Sequence, residues 1–167
     1  MDKEQVWKLN ETFNFFARKD VLGIQYLTEN TAYKIAFYLC KYRQEWVAEV
    51  GACSLFALTE EELTRVNGFG EKTAKRLIES IAKATSGVTF AQFLRACGQN
   101  KLSMDNCEYL AKKFPNFHEL CSRKLVDSLK VIQEMPENAQ RVLLDKKFWD
   151  DAKLFQKYVT MKEDDKG

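Results

Sequence analysis

Val66-Asn67-Gly68-Phe69-Gly70-Glu71-Lys72-Thr73-Ala74 is the stretch on which the reading of this chain turns. Two glycines flank one apolar residue. Glycine takes positive φ without steric cost, so the backbone reverses here while Phe69 pins the turn to a core. Upstream, Thr59-Glu60-Glu61-Glu62 has the spacing of a capping box that starts a short helix through Val66, and Asn67 and Gly68 end it. Downstream, Ala74, Leu77, Ile78 and Ile81 recur at i, i+3, i+4 and i+7, which predicts a helix beginning at Glu71. The expected unit is therefore helix, tight turn, helix.

The missing side chains at Gly68 and Gly70 leave backbone amides open to a ligand. The following helix adds its own unpaired amides and the positive end of its dipole. Together these features suit a phosphate oxygen. Lys72, Lys75 and Arg76 fall on the first turns of that helix, away from its apolar face, where they add charge-assisted contacts, and Thr73 lies among them. Asn67, Gly68, Phe69 and Gly70 with these four residues form the candidate phosphate site. A glycine that merely ends a helix accounts for one of the two glycines, but not for the second or for the basic turn that follows. Amides and lysines that touch phosphates see the same chemistry at every step of a duplex, so little sequence preference is expected.

The rest of the chain repeats this grammar. Leu9, Phe13 and Phe16 mark an amphipathic helix within Trp7 to Arg18. After Leu22-Gly23-Ile24, Ala32, Ile35, Ala36 and Leu39 mark a second. Ser86-Gly87 is a break, Phe90, Phe93, Leu94 and Cys97 stripe the next helix, and Gly98 stops it. Ser103 is placed to cap a helix carrying Cys107, Leu110, Ala111 and Phe114, ended by Pro115. Leu125, Leu129 and Ile132 precede a last break, with Pro136 opening a helix that carries Ala139, Val142 and Leu143. This gives an all-α fold of four tandem pairs, near residues 20–40, 60–84, 92–114 and 124–146. They are expected in one helical domain over residues 1–160, with a polar, frayed tail from Met161 to Gly167.

Composition agrees and narrows the function classes. The chain has 167 residues, 46% hydrophobic and 30% charged, with 7 Gly and 2 Pro, a low punctuation that suits helices joined by short turns. A net charge of +2 is too small for a domain that binds nucleic acid by bulk electrostatics, so any such binding must be local. The cysteines Cys40, Cys53, Cys97, Cys107 and Cys121 form no CxxC pair, and His118 is the single histidine, a poor basis for zinc. They read as small buried apolar side chains in a reducing compartment. No basic-then-apolar leader and no apolar run of about 18 residues is present, which predicts a cytoplasmic protein without membrane association.

Leu63 to Ile78 closely resembles a helix-hairpin-helix motif, specifically one in bacterial NAD-dependent DNA ligases. The order of the other segments is similar too: Phe13 to Leu39 resembles the first motif of that ligase domain, Phe93 to Phe114 the third and Lys124 to Leu144 the fourth. The resemblance covers about Glu11 to Tyr158. It implies four motifs packed as two pairs, a platform on the minor-groove side of duplex DNA that helps to encircle a nick in a bacterial or phage-infected cell. Tyr26 and Thr28 stand at the glycine positions of the first motif, and Lys101 and Ser103 at those of the third. Val131 to Ala139, in the fourth, has no glycine. The second hairpin accordingly carries most weight and the third next, with Lys101 and Ser103 as a donor pair. The first and fourth are scaffold with occasional contacts from Lys19 or Lys130.

Ligation in that family needs an adenylated lysine in a nucleotidyltransferase domain, an oligonucleotide-binding barrel and a four-cysteine zinc module. None is visible, which implies a non-catalytic chain without its own cofactor, partnered by nicked or intact duplex and by an adenylating subunit or the rest of a ligase. Two other readings compete. One is a degenerate interaction module whose aromatic surplus, including Trp7, Trp46 and Trp149, docks onto a repair or replication partner. The other is a glycosylase or lyase that uses such motifs for chemistry, for which no lysine and aspartate pairing is found.

Overall fold

The computed structural model describes residues 2–122 and 125–162, and the chain divides into two compact units, Met1–Thr85 and Ser86–Gly167. Lys124, the expected start of the fourth segment, and residues 163–167 of the expected tail lie outside the described residues. The protein is all-α.

The first unit begins with α1 (Lys3–Ala17) and α2 (Glu29–Tyr42), which pack on each other. Asp2 caps α1 by accepting from the Glu4 amide, and Thr28 caps α2 by accepting from Thr31. Val6, Leu9, Phe13 and Phe16 face inward from α1, and Ala32, Ile35, Ala36 and Leu39 from α2. The irregular stretch Trp46 to Ala57 resolves into α3 (Gln44–Val50) and a 3-10 turn at Gly51–Ala57, whose Phe56 ring lies 5.4 Å from that of Phe16. Then come α4 (Glu60–Leu63), which stops short of the expected Val66, and α5 (Glu71–Ala84), which begins at the expected Glu71.

Half of the expected capping box forms. The Thr59 hydroxyl accepts from the Glu62 amide at 3.1 Å, but the Glu62 carboxylate turns away and takes the Arg43 guanidinium and the Tyr38 hydroxyl. An ion pair in which both partners are charged outcompetes a bond from a neutral backbone N–H, and it ties α2 to α4.

In the second unit, α6 (Phe90–Gly98) and α7 (Met104–Lys113) pack together. They are joined by a 3-10 turn at Gln99–Lys101. A full capping box forms at Thr89 and Gln92, which exchange side-chain and backbone bonds. Then come α8 (Phe117–Ser122), α9 (Leu125–Gln133), α10 (Glu137–Leu143) and α11 (Lys146–Phe155). Periodicity announced neither α8 nor α11, yet they supply the aromatic core. The Phe93 ring lies 5.1 Å from Phe117 and 5.5 Å from Phe155, and Trp149 stacks on Phe117 while its indole N–H donates to the Leu143 carbonyl at 2.7 Å.

The tail departs from expectation. Thr160–Met161 forms a short strand (β2) that pairs in parallel with Ser86–Val88 (β1), and the Lys162 amide donates to the Val88 carbonyl at 2.7 Å. The cysteines divide as well. Cys40, Cys53 and Cys107 are buried as expected, Cys97 is half-buried and Cys121 is exposed. Burial pushes the Cys107 thiol up to about 12 against the opposing pull of Arg95, and Glu108 adds to the rise.

One buried charge holds the α6–α7 turn. Arg95 is 8% exposed, and its guanidinium donates to the Leu102 carbonyl at 2.8 Å and to the Gln99 carbonyl at 3.4 Å. Replacing it with leucine leaves those carbonyls without that donor. Arg95→Leu is expected to cost about 2 to 3 kcal/mol, seen as a lower urea midpoint with an unchanged slope. An unaltered midpoint would show that the turn holds without the guanidinium.

Candidate functional site

The stretch at 66–74 forms a closed turn between α4 and α5. The Arg65 and Val66 amides bond three residues back, to Glu62 and Leu63, tightening the chain beyond α4. The Phe69 amide then donates to the Val66 carbonyl at 3.1 Å and closes the turn around Asn67 and Gly68. Gly68 has φ +87°, a left-handed conformation that glycine adopts freely.

Gly70 does something different from the sequence expectation that both glycines serve the reversal. Its φ of −93° and ψ of 175° are extended, open to any residue. Gly70 is the N-cap of α5, where serine, threonine, aspartate or asparagine would turn an oxygen onto the first amides. No side chain caps α5, and a Cβ built on Gly70 meets nothing within 4 Å. The first intrahelical amide bond is from Ala74 to the Gly70 carbonyl at 3.0 Å, which leaves the amides of Glu71, Lys72 and Thr73 directed out of the helix end. The site is thus an uncapped helix start with open space before it.

The side chains around this opening suit an anion. Asn67, Lys72, Thr73, Lys75 and Arg76 are exposed, Phe69 is half-buried, and Ala74 is fully buried with Leu77 against the core. Lys75 meets Glu79 at 4.0 Å, a surface pair one helical turn apart and of small energetic weight. Lys72 and Arg76 have no carboxylate partner among the described residues. Lys34, from α2, also reaches the turn: a Cβ on Gly68 would lie 2.9 Å from its Nζ. Sequence reading passed over this lysine because the approach joins residues 34 apart in the chain, and no local pattern announces it.

The other hairpins show what a different cap does. Tyr26 takes the position of Gly68 in the first and keeps its backbone, with φ +67° and an exposed ring. Thr28, in the place of Gly70, spends its hydroxyl on the Thr31 amide at 3.2 Å. In the third, the left-handed residue is Gln99, at φ +52°, two positions before Lys101. Lys101 is exposed in the 3-10 turn, and the Ser103 hydroxyl accepts from Asn106 at 3.2 Å. In the fourth, Pro136 stands at the N-cap and has no amide hydrogen, while the Gln140 side chain donates to the Met135 carbonyl at 2.8 Å.

The first hairpin therefore matches the second in backbone better than the third does, the reverse of the sequence weighting. Residues 67–76 stand together in the first unit, and Lys101 and Ser103 in the second. Lys19 and Lys130 are both exposed.

No family model matches the chain. Curated relatives do. Over 135 residues the chain is 27% identical to a DNA ligase of Lachnoclostridium phytofermentans, which covers 81% of this chain and 20% of the relative. A DNA ligase of Chlamydia felis is 28% identical over the same length, 81% of this chain and 19% of the relative. A DNA ligase of Baumannia cicadellinicola is 32% identical over 81 residues, 48% of this chain and 12% of the relative. The chain is thus similar to a portion of proteins named DNA ligase. It spans about a fifth of the length of the first two of these relatives. Among the described residues, no helix is long and apolar enough to cross a membrane.

The uncapped start of α5 gives a direct test of stability. Gly70→Ser is expected to raise the unfolding free energy by a few tenths of a kcal/mol, because the hydroxyl captures an amide that is open in the native protein. Urea denaturation measures it, and a loss of stability would mean that the open space before α5 is not available to a cap.

Proposed function

We propose that this chain is a non-catalytic DNA-binding module or subunit of an NAD-dependent DNA ligase, gripping the phosphate backbone near nicks without sequence specificity. Its four hairpins are read as helix-hairpin-helix motifs, with the second as the principal grip. The observation that carries the reading is the start of α5, an uncapped helix N-terminus behind a left-handed glycine. Asn67, Gly68, Phe69 and Gly70 present the backbone, and Lys72, Thr73, Lys75 and Arg76 surround it. The ligase names of the relatives support DNA as the partner.

The expected chemistry is electrostatic and geometric. Backbone N–H groups and the helix dipole receive a phosphodiester oxygen, and the lysines and arginine release counterions as they approach the strand. Nothing in such a contact reads a base edge. The third hairpin, with Lys101 beside a serine whose hydroxyl already accepts a bond, contributes long-range charge more than amide donation. Adenylation and nick sealing are assigned to other parts of a ligase, in the same chain or in a catalytic partner.

A second reading, an interaction module docking onto a repair or replication partner, is favoured by Trp7 on α1, 57% exposed. Trp46 and Trp149 fit it less well. The first lies under the Arg43 guanidinium and the second is packed among Phe117 and Phe148.

Fluorescence anisotropy with nicked and intact duplexes of unrelated sequence separates these readings. The log of the association constant is expected to fall against log salt with a slope of about −2 to −4, as about two to four phosphates are neutralised. Gly68→Val, which forces a branched side chain into left-handed backbone, should weaken binding to every duplex alike. Gly70→Ser should weaken it while stabilising the fold, since the hydroxyl competes with phosphate for the same amides. Wild-type affinity in both variants would dismiss the hairpin as the DNA site, and no binding at low salt would favour the interaction module.

A further inference from the structure

We infer that Lys34 is part of the phosphate site of the second hairpin, although it belongs to the second helix of the first. The inference rests on the DNA-backbone reading of that hairpin and extends it to a residue from a separate stretch of chain. A side chain at position 68 would put its Cβ 2.9 Å from the Lys34 Nζ, so the ammonium occupies the space that glycine leaves open. Gly68 thereby has a second role: besides its φ of +87°, it admits a cation against the turn.

The position of Lys34 on α2 explains how the ammonium is held. It lies between Ala32 and Ile35, both fully buried, at the edge of the helix's inward face. The lysine is half-buried, with its charged head beside the turn. The clasp of Arg43 and Tyr38 on Glu62 fixes α2 to α4, the helix that leads into the turn. A lysine so placed has lost much of its rotamer freedom before any ligand arrives, which lowers the entropic cost of using it.

Lys34 makes no ion pair and no hydrogen bond among the described residues. None of the carboxylates nearest in sequence to this turn pairs with Lys34 among the described residues. Glu61 pairs with Arg65 at 3.4 Å, Glu62 takes Arg43 and Tyr38, and Glu71 stands exposed in the first turn of α5. A partly desolvated ammonium with no acidic partner, next to a helix start whose amides have no cap, is an arrangement that an anion completes. The anion is a backbone phosphodiester of duplex DNA. Its negative charge meets the Lys34 ammonium from the α2 side and the amides and the Lys72 and Arg76 cations from the α5 side.

Lys34→Met removes the charge and keeps the stem, so the packing of α2 is preserved. It is expected to weaken nicked-duplex binding several-fold at about 0.1 M salt, to reduce the magnitude of the salt slope by about 1, and to leave thermal unfolding unchanged. Lys8→Met, on α1 and paired with Glu4, serves as the surface-charge control and should leave the slope nearly unchanged. Lys34→Arg, which keeps the charge, should retain the slope even if the bulkier head lowers affinity. If Lys34→Met binds with wild-type affinity and slope while Gly68→Val loses binding, Lys34 is only a strut under the glycine and the proposal is overturned, with the hairpin grip intact. If neither variant changes binding, the DNA-backbone reading itself fails. If Lys34→Met lowers affinity only in step with a lowered unfolding temperature, the lysine acts through the fold and the proposal fails.

Discussion

Two helices joined by so short a turn must approach closely at the start of the second, and only a small side chain permits it. Ala32, Ala74 and Cys107 occupy that place, four residues after the N-cap, in the first three pairs, and in the fourth Ala139 lies one position earlier; each has no exposed surface. The apolar residue just before each second helix locks the turn from the other side: Leu27, Leu102 and Met135 are buried and Phe69 half-buried. Interiors are packed as densely as organic crystals, so an added methylene at these points shifts a whole helix rather than a side chain. The raised Cys107 thiol is the electrostatic trace of that enclosure. The turns keep their geometry because this contact is tight, and the amide cluster before α5 keeps its direction because the turn does.

Upon that shared frame the four turns have diverged in how their free amides are used. Thr28 and Ser103 supply the capping oxygen themselves, whereas neither Gly70 nor Pro136 makes a side-chain cap, and in the fourth turn the Gln140 amide braces the chain before α10. A cap stabilises a helix and consumes its capacity to hold an anion, so stability and binding compete for the same few N–H groups. The first hairpin shows that the backbone conformation and the open amides are separable. Tyr26 retains the left-handed residue, and Thr28 closes the helix end behind it.

Much of this was legible in the residues. The stripe of Ala74, Leu77 and Ile81 located α5, Ser103 was read as a cap and is one, and the order of helices followed from breaks at Gly98, Pro115 and Pro136. What escaped lay beyond local pattern. The helices α8 and α11 are short and carry aromatic residues whose burial depends on partners far along the chain, as Phe155 does on Phe93. The capping box at Thr59 was right in spacing and half wrong in outcome, because Arg43 offered Glu62 a stronger bond than the backbone could. Gly70 looked like a second flexible joint and proved to be an absent cap. Lys34 gave no sign at all, since a lysine at the margin of a helical stripe reads as ordinary solvent-facing charge.

The β1 and β2 pairing in the second unit bears on the order in which the protein acquires its shape. The α6–α7 and α10–α11 contacts join helices that are neighbours in sequence and assemble as soon as both have formed, whereas the strand pair, like the packing of α11 on α6, closes a loop of roughly sixty to seventy residues. Contacts of such long separation form late because their entropy cost is met only after the intervening chain has condensed. On a ribosome, the hairpin of α6 and α7 is made well before Thr160 and Met161 emerge. The Ser86–Val88 edge therefore waits, with its backbone groups open, until the final residues of the unit arrive to latch it. During that interval the segment after α5 is open to a protease or a second chain.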